Sequence, residues 1–145
     1  MPASSSKRAP KFEVERLTQI QGKVTFYKLL KDDVCFFDEF QQQIKDDGNH
    51  VSELISAFSL MDQVAKLRHL PGTKYHPLGE SFTYTSNGKA CRARNHEIKT
   101  KNLRVYLCHL DDPAGKVVVM AGHKNTQAAD IAAFENLVLQ YLSTL

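Results

Sequence analysis

No stretch of about 18 consecutive apolar residues occurs in this chain, so no segment is expected to cross a membrane. Residues 1–10 lack the apolar centre of a secretory signal, and their Ser, Pro and Ala content is typical of a disordered lead. The three cysteines, Cys35, Cys91 and Cys108, form no C-x-x-C pair. An odd, scattered set of cysteines favours reduced thiols in a cytoplasmic protein.

The six histidines are also scattered, and they do not form the H-x-x-H or H-E-x-x-H spacing of a zinc site. The sequence therefore predicts no metal site, and nothing in it points to a cofactor. The chain has 145 residues, of which 42% are hydrophobic and 24% are charged, and this composition is that of an ordinary folded protein. We expect one domain over residues 11–145.

Positive charge is concentrated in the middle of the chain. Residues 66–104 contain nine of the 19 Lys and Arg residues but two acidic residues, a local charge of +7. The segments before and after this stretch each carry a charge of −2, so the formal net charge of +3 hides a basic centre. Concentrated basic charge indicates a phosphate-rich partner.

The first half of the chain predicts a hairpin and two helices. Residues 12–17 alternate apolar and charged side chains, and residues 24–30 are rich in β-forming residues, so the two runs could pair. Residues 36–47 carry apolar side chains near helical spacing, and Asp-Gly-Asn ends that helix. A second amphipathic helix is expected from about residue 52 to residue 68.

The second half predicts a loop over residues 71–79, a meander of strands and a final helix. The strands are expected at residues 82–85, 89–99, 103–110 and 116–122, with an Asn87-Gly88 hairpin turn between the first two. Residues 116–122 are nearly all apolar, which is typical of a central strand covered on both faces. The pattern predicts an α+β fold: a small twisted antiparallel sheet of about four to six strands, with two helices packed on one side and a C-terminal helix.

Basic side chains fall along and at the ends of the predicted strands. Lys89 begins one strand, and Arg92 and Arg94 lie two residues apart, on one face of it. Where neighbouring strand ends meet, further basic residues would form a concave positive surface that grips phosphates. These residues are Lys99, Lys101, Arg104, His123 and Lys124. On residue types alone, a plain solvated face is the alternative for all of them.

Several short motifs between residues 95 and 142 follow one another in a recognisable order. They are Glu97-Ile98-Lys99, Leu103 to Tyr106, Gly122-His123-Lys124 and Thr126-Gln127. This series resembles the RelE/ParE toxin superfamily, and most of all its HigB-like branch of phage-derived host-inhibition proteins. That branch shows a YELR strand, an LRVFY strand, an apolar strand ending in G-F-x-K-K, and T-Q at the start of a helix. The match covers about a third of the chain.

The resemblance implies a RelE-like fold and the toxin of a type II toxin–antitoxin pair, usually a ribosome-dependent mRNA endonuclease. It also implies a cognate antitoxin protein and mRNA on the ribosome as partners. The reaction would be attack of a ribose 2′-OH on the adjacent phosphate, which only RNA offers. Such a site needs a base, cations for the phosphorane charge and an acid for the leaving oxygen.

The resemblance also assigns roles to residues. Arg104 matches a phosphate-stabilising Arg of the relatives, Lys124 matches the basic residue after the third sheet strand, and Lys99 and Lys101 occupy the neighbouring basic edge. For acid/base work we expect His123 first and His96 second, both titratable near neutral pH. Lys89, Arg92 and Arg94 are expected to contact RNA.

The chain departs from the family pattern at two positions within these motifs. Lys99 stands where an Arg is usual, and Ala128-Ala129-Asp130 stands where many members carry a catalytic Tyr. A second function therefore stays open. It is a non-catalytic module of the same fold that holds a nucleic acid or an acidic protein, including a gyrase-inhibiting toxin.

Overall fold

A computed structural model describes residues 8–145 of the chain. The expected disordered lead, residues 1–10, falls largely on residues 1–7, which lie outside the described residues, and residues 8–10 form no helix or strand. The elements are β1 (Phe12–Arg16), β2 (Phe26–Lys31), α1 (Phe36–Ile44), α2 (Gly48–Ala65), β3 (Tyr75–Ser86), β4 (Lys89–Lys99), β5 (Leu103–Leu110), β6 (Gly115–His123) and α3 (Gln127–Leu142). A short 3-10 turn, Lys124–Thr126, joins β6 to α3.

The six strands form one sheet in the order β1-β2-β6-β5-β4-β3. The predicted α+β class and the expected number of strands are confirmed, but the expectation of an antiparallel sheet is wrong for one pair. β2 runs parallel to β6, while the other neighbours are antiparallel. β2 lies beside β6, the last strand of the meander, so the β1–β2 hairpin extends the sheet at that edge. The chain enters β2 and β6 in the same direction, which makes this one pair parallel.

The helices cover both faces of the sheet. On one face, called here the α1/α2 face, Phe37, Phe40 and Met61 pack against strand residues such as Leu107. On the other, called the α3 face, a second buried cluster contains Phe134, Val138, Tyr141, Tyr106 and Val117. The two predicted helices therefore share one side, as expected, and the C-terminal helix packs on the opposite side.

β6 is the central strand that its apolar sequence predicted. Val118 is buried on the α1/α2 face, while Val117 and Val119 are buried on the α3 face. The register shifts between Val118 and Met120, because Tyr106 pairs with Met120 while Leu107 pairs with Val118, and Val119 is the extra residue between them. Burial on both faces explains why this strand lacks the alternation of a half-exposed one.

The Asn87-Gly88 turn is also confirmed. Both residues have positive φ angles, 51° and 78°, as a two-residue hairpin of this type requires. β3, however, begins at Tyr75 rather than at residue 82, because Pro77 is tolerated on an edge strand that needs no donor there. A register shift between Leu78 and Phe82 interrupts the long strand.

α2 begins four residues earlier than its apolar pattern indicated. The side chain of Asp47 accepts hydrogen bonds from the backbone N–H groups of Asn49 and His50, both at 3.1 Å. This N-cap satisfies two donors that the first turn of a helix leaves free, so the helix extends back to Gly48. The early start places His50 in the first turn of α2.

Candidate nucleic-acid interface

One end of the sheet gathers several of the predicted cations. The β4–β5 turn, residues 100–102, lies there beside the end of β6, because the backbone N–H of Lys124 donates to the carbonyl of Asn102 at 2.8 Å. Across the strands, Lys99 pairs with Arg104, and Arg104 pairs with Gly122. We call this region, with the first turns of α2 and α3, the turn end of the sheet.

Lys99 and Arg104 share the α3 face, since Arg104 lies two residues before the buried Tyr106 of that face. The Nη1 atom of Arg104 donates to the carbonyls of Thr100 and Leu103, at 2.8 and 2.9 Å. The Nε atom of Arg104 is buried and has no partner. The guanidinium is therefore held against the turn by one edge, and it retains N–H groups for another acceptor.

A buried carboxylate accompanies these two cations. Glu97 is 2% exposed, accepts a hydrogen bond from Gln127 Nε2 at 2.8 Å, and lies 3.5 Å from Lys99 Nζ. Gln127 is the first residue of α3, so the contact fixes the start of that helix against β4. The hydroxyl of Tyr106 is buried in the same layer without a partner, and burial and the charges of Asp130 and Glu97 raise the pKa of Tyr106. The hydroxyl therefore stays protonated. The motif pattern gave Glu97 and Gln127 no role.

The start of α2 supports the turn from the opposite face. The carboxylate of Glu53 accepts from the Thr100 hydroxyl and the Asn102 N–H, both at 2.6 Å, and from Asn102 Nδ2 at 2.8 Å. Burial acts to raise the pKa of Glu53, but these hydrogen bonds outweigh it and lower the pKa to about 2. Glu53 is therefore a permanent anion that fixes the turn, and sequence spacing gave no signal for it.

His123 lies at the turn end but faces away from Arg104. It pairs with Leu103, whose side chain is buried on the α1/α2 face. Its ring centroid lies 5.4 Å from that of Phe40 and 4.9 Å from that of His50. His50 Nδ1 in turn lies 3.0 Å from Asp47 Oδ2, so a carboxylate orients this second imidazole. His50 was not predicted as a site residue, because the sequence pattern places it in a loop between two helices.

Lys101 and Lys124 occupy the rim of the turn end. Both are exposed, Lys101 in the turn and Lys124 where β6 leaves the sheet. Within residues 8–145 neither side chain forms an ion pair. The carboxylates nearby are engaged with protein groups: Glu53 with the turn, Glu97 with Gln127, and Asp130 with the hydroxyl of Thr126 at 2.7 Å. The two lysines are therefore the most exposed cations of the turn end.

The remaining predicted residues do not join this group. Arg92 and Arg94 share one face of β4, as expected, but it is the α1/α2 face, because His96 follows on that face opposite the buried Leu107. His109, which pairs with Arg94, is five residues along β5 from Arg104, about 17 Å away. Lys89 is exposed beside the hairpin turn, at the same distant end of β4.

His96 is a poor acid/base group where the structure places it. Its ring stacks on Tyr75 at a centroid distance of 4.6 Å, and its Nδ1 atom is buried without a partner. Burial, with the charge of Lys116 nearby, lowers the pKa of His96 to about 4, so the ring is neutral at pH 7. The expectation that His96 works beside Arg104 is corrected, because the two lie on opposite faces of the sheet.

Comparison with known proteins adds no relative: no family model, no curated protein and no solved structure matches the chain.

Among residues 8–145, no cluster of three or more His, Cys, Asp or Glu side chains is arranged to hold a metal ion. No helix in the same range is both long and apolar enough to cross a membrane. The three cysteines are buried and free. The turn end and the sequence motifs are therefore the features from which a function can be inferred.

Proposed function

We propose that the turn end binds the backbone of RNA and that the protein is a toxin of a type II toxin–antitoxin pair that cleaves translated mRNA in the cytoplasm. The observation that carries the proposal is the meeting of four cations and two imidazoles at one end of the sheet. The cations are Lys99, Lys101, Arg104 and Lys124, and the imidazoles are those of His50 and His123. The sequence motifs favour this function over other phosphate chemistry.

The cations support the binding step. Arg104 has a fixed guanidinium whose Nη2 group makes no hydrogen bond within the described residues, which suits a charge-assisted contact to a phosphate. Lys101 and Lys124 are exposed point charges on the rim. Lys99 is 28% exposed and is shared with the buried carboxylate of Glu97, so its contribution is smaller. Charged groups in such a setting stabilise the negative charge that grows on the phosphorus oxygens.

The imidazoles support the cleavage step. In the proposed reaction, one neutral imidazole removes the proton of the 2′-OH, and the 2′-oxygen forms a bond to phosphorus. The bond from phosphorus to the 5′-oxygen breaks, and an imidazolium protonates that oxygen. The products are a 2′,3′-cyclic phosphate and a free 5′-OH. His123 and His50 lie side by side, and Asp47 orients His50 as a carboxylate orients a catalytic histidine.

Growth and RNA cleavage test the proposal together. Expression of the wild-type protein is expected to halt growth and to generate new transcript ends with free 5′-OH groups. Arg104→Ala and Lys124→Ala should relieve both effects, and His123→Ala should abolish cleavage while RNA binding persists. Lys23→Ala is the matched control, because Lys23 is exposed near the C-terminal end of α2, at the opposite end of the sheet. Unchanged toxicity in both Arg104→Ala and Lys124→Ala would refute the assigned site.

Salt dependence gives an independent measure of the same surface. If the four cations at the turn end each neutralise one phosphate of single-stranded RNA, the logarithm of the binding constant should fall with the logarithm of salt with a slope of about −2.8. Lys124→Ala should make the slope shallower by about 0.7. A slope that does not change in this variant would remove Lys124 from the interface.

A non-catalytic binding module is the second candidate, and one observation favours it. Arg104 lies on the α3 face, whereas His123 and His50 lie on the α1/α2 face. A phosphate held by Arg104 must therefore reach around the sheet end to meet an imidazole. Retained RNA or protein binding with intact transcripts and normal growth would favour this module. Inhibited DNA supercoiling with intact mRNA would favour a gyrase inhibitor.

A further inference from the structure

A second basic group lies away from the turn end, on the α1/α2 face of the sheet. Arg94 pairs with His109 across β4 and β5, and His109 pairs with Lys116 across β5 and β6. The three side chains therefore form one row over three adjacent strands, with Cβ atoms about 5 Å apart between neighbours. Arg94 and Lys116 bring two cations to this row, and because Lys116 is nearly buried, its charge favours a compensating anionic group.

The protein itself supplies little compensation. Within the described residues none of these three side chains forms an ion pair. Lys116 is 8% exposed, and its Nζ atom lies 3.2 Å from His109 Nδ1 and 5.5 Å from the centre of the Tyr75 ring. The carboxylate of Asp111 acts on His109 by its charge, but it also accepts a hydrogen bond from the backbone of Arg92.

The row is surrounded by polar atoms that lack partners. Arg94 Nε, the hydroxyl of Tyr75 and His96 Nδ1 are all buried and make no hydrogen bond. Native proteins leave few buried polar atoms unsatisfied, because each one has lost its hydrogen bonds to water. Three such atoms beside a buried lysine offer several unused hydrogen bonds to an incoming ligand. The atoms are mostly donors, which excludes a cation and favours an anion with several oxygens.

We propose that Lys116, His109, Arg94 and Tyr75 form a binding site for a phosphate group, separate from the turn end. In this site Lys116 and Arg94 supply the charge, the Tyr75 hydroxyl donates a hydrogen bond, and His109 bridges the two cations across β5. The exposed guanidinium of Arg92 lies farther along the same face of β4 and attracts the anion to it.

The electrostatics of the row agree with this assignment. Burial lowers the pKa of Lys116 to about 8. Burial, and then the charge of Lys116, lower the pKa of His109 below its usual value. Both shifts reflect an environment that disfavours positive charge, and a bound anion would offset this effect. The inference does not depend on the proposed RNA cleavage, since no residue of this row lies at the turn end.

The test uses inorganic phosphate as the probe and the melting temperature of the full chain as the readout. At a tenfold excess of phosphate over its dissociation constant, the wild-type melting temperature should rise by about 3–5 °C above that in KCl of equal ionic strength. Lys116→Met removes the buried charge and keeps the shape of the side chain. This variant should melt at a higher temperature than the wild type without phosphate, and it should lose the phosphate-dependent rise.

Matched variants distinguish phosphate binding at this site from a general response to positive charge on the protein. Lys23→Met alters an exposed lysine and should keep the full phosphate response, and Arg94→Gln should lose most of it. A short single-stranded RNA that displaces phosphate from the wild-type protein identifies an RNA backbone as the source of the phosphate group. RNA that leaves phosphate bound identifies a small phosphate ester. No rise beyond the KCl control, or an equal rise in Lys116→Met, would overturn the proposal.

Discussion

The glutamate that fixes the β4–β5 turn provides the sharpest stability test of the turn end. Glu53 accepts three hydrogen bonds from Thr100 and Asn102, and its pKa lies at about 2 rather than at the ordinary value of 4.5. Because the folded state binds the proton less readily than the unfolded state, the carboxylate stabilises the fold above pH 4.5. That stability is lost as the pH falls from 4.5 to 2.

The full shift corresponds to a maximum of about 3 kcal/mol, at about 1.4 kcal/mol for each pKa unit. Glu53 is only half-buried, so solvent screening reduces the expected contribution to about 1–2 kcal/mol. Glu53→Gln should remove it, since the amide Nε2 cannot accept the bond from Asn102 Nδ2. We expect the variant to be less stable by about 1–2 kcal/mol at pH 7 and to approach the wild type near pH 2.

Urea denaturation followed by circular dichroism at pH 7, 5, 3 and 2.5, at constant ionic strength, measures this difference. Glu80→Gln is the control, because Glu80 is exposed and no hydrogen bond of its side chain is found in the described part of the chain. If the gap between wild type and Glu53→Gln were the same at pH 7 and pH 2.5, the stabilisation would not come from the ionised carboxylate. The hydrogen-bond account of the turn would then be wrong.

Two further variants probe the packing of α3 on the sheet. Gly122→Ala should lower the free energy of unfolding by up to about 1 kcal/mol, because a Cβ atom there would overlap with Asp130 Oδ2 and turn that carboxylate away from Thr126. A loss of more than about 2 kcal/mol in calorimetry would show that Asp130 cannot move aside. Tyr106→Phe should leave the free energy of unfolding unchanged or raise it by up to about 1 kcal/mol, because the buried hydroxyl has no partner. A loss of more than about 1 kcal/mol in urea denaturation would show that the hydroxyl is hydrogen-bonded.

Local patterns predicted most elements of this fold. The Asn87-Gly88 turn and the apolar β6 are set by backbone preference and by burial, both of which act within a few residues. The early start of α2 was missed because the cap at Asp47 precedes the apolar stripe. The parallel β2–β6 pair was missed because it joins residues about 90 positions apart, and no local pattern encodes such a contact.

The candidate site was also predicted only in part, because its two faces are covered by helices that are distant in the sequence. Strand alternation correctly predicted that Arg92 and Arg94 share one face of β4. The expected contact between neighbouring strand ends is also seen, because Lys99 pairs with Arg104. Alternation does not say which helix covers which face, so His123 could not be assigned to the side of Phe40 and His50.

β4 illustrates why one basic stretch gives two sites rather than one. Its odd-numbered residues, including Glu97 and Lys99, face α3, while its even-numbered residues, including Arg94 and His96, face α1 and α2. A pleated strand must divide its cations in this way, so the basic residues of β4 point to both faces of the sheet. Lys99 therefore lies at the turn end, where we propose the contact with RNA. Arg94 lies in the row of Lys116 on the opposite face, where we propose the phosphate site.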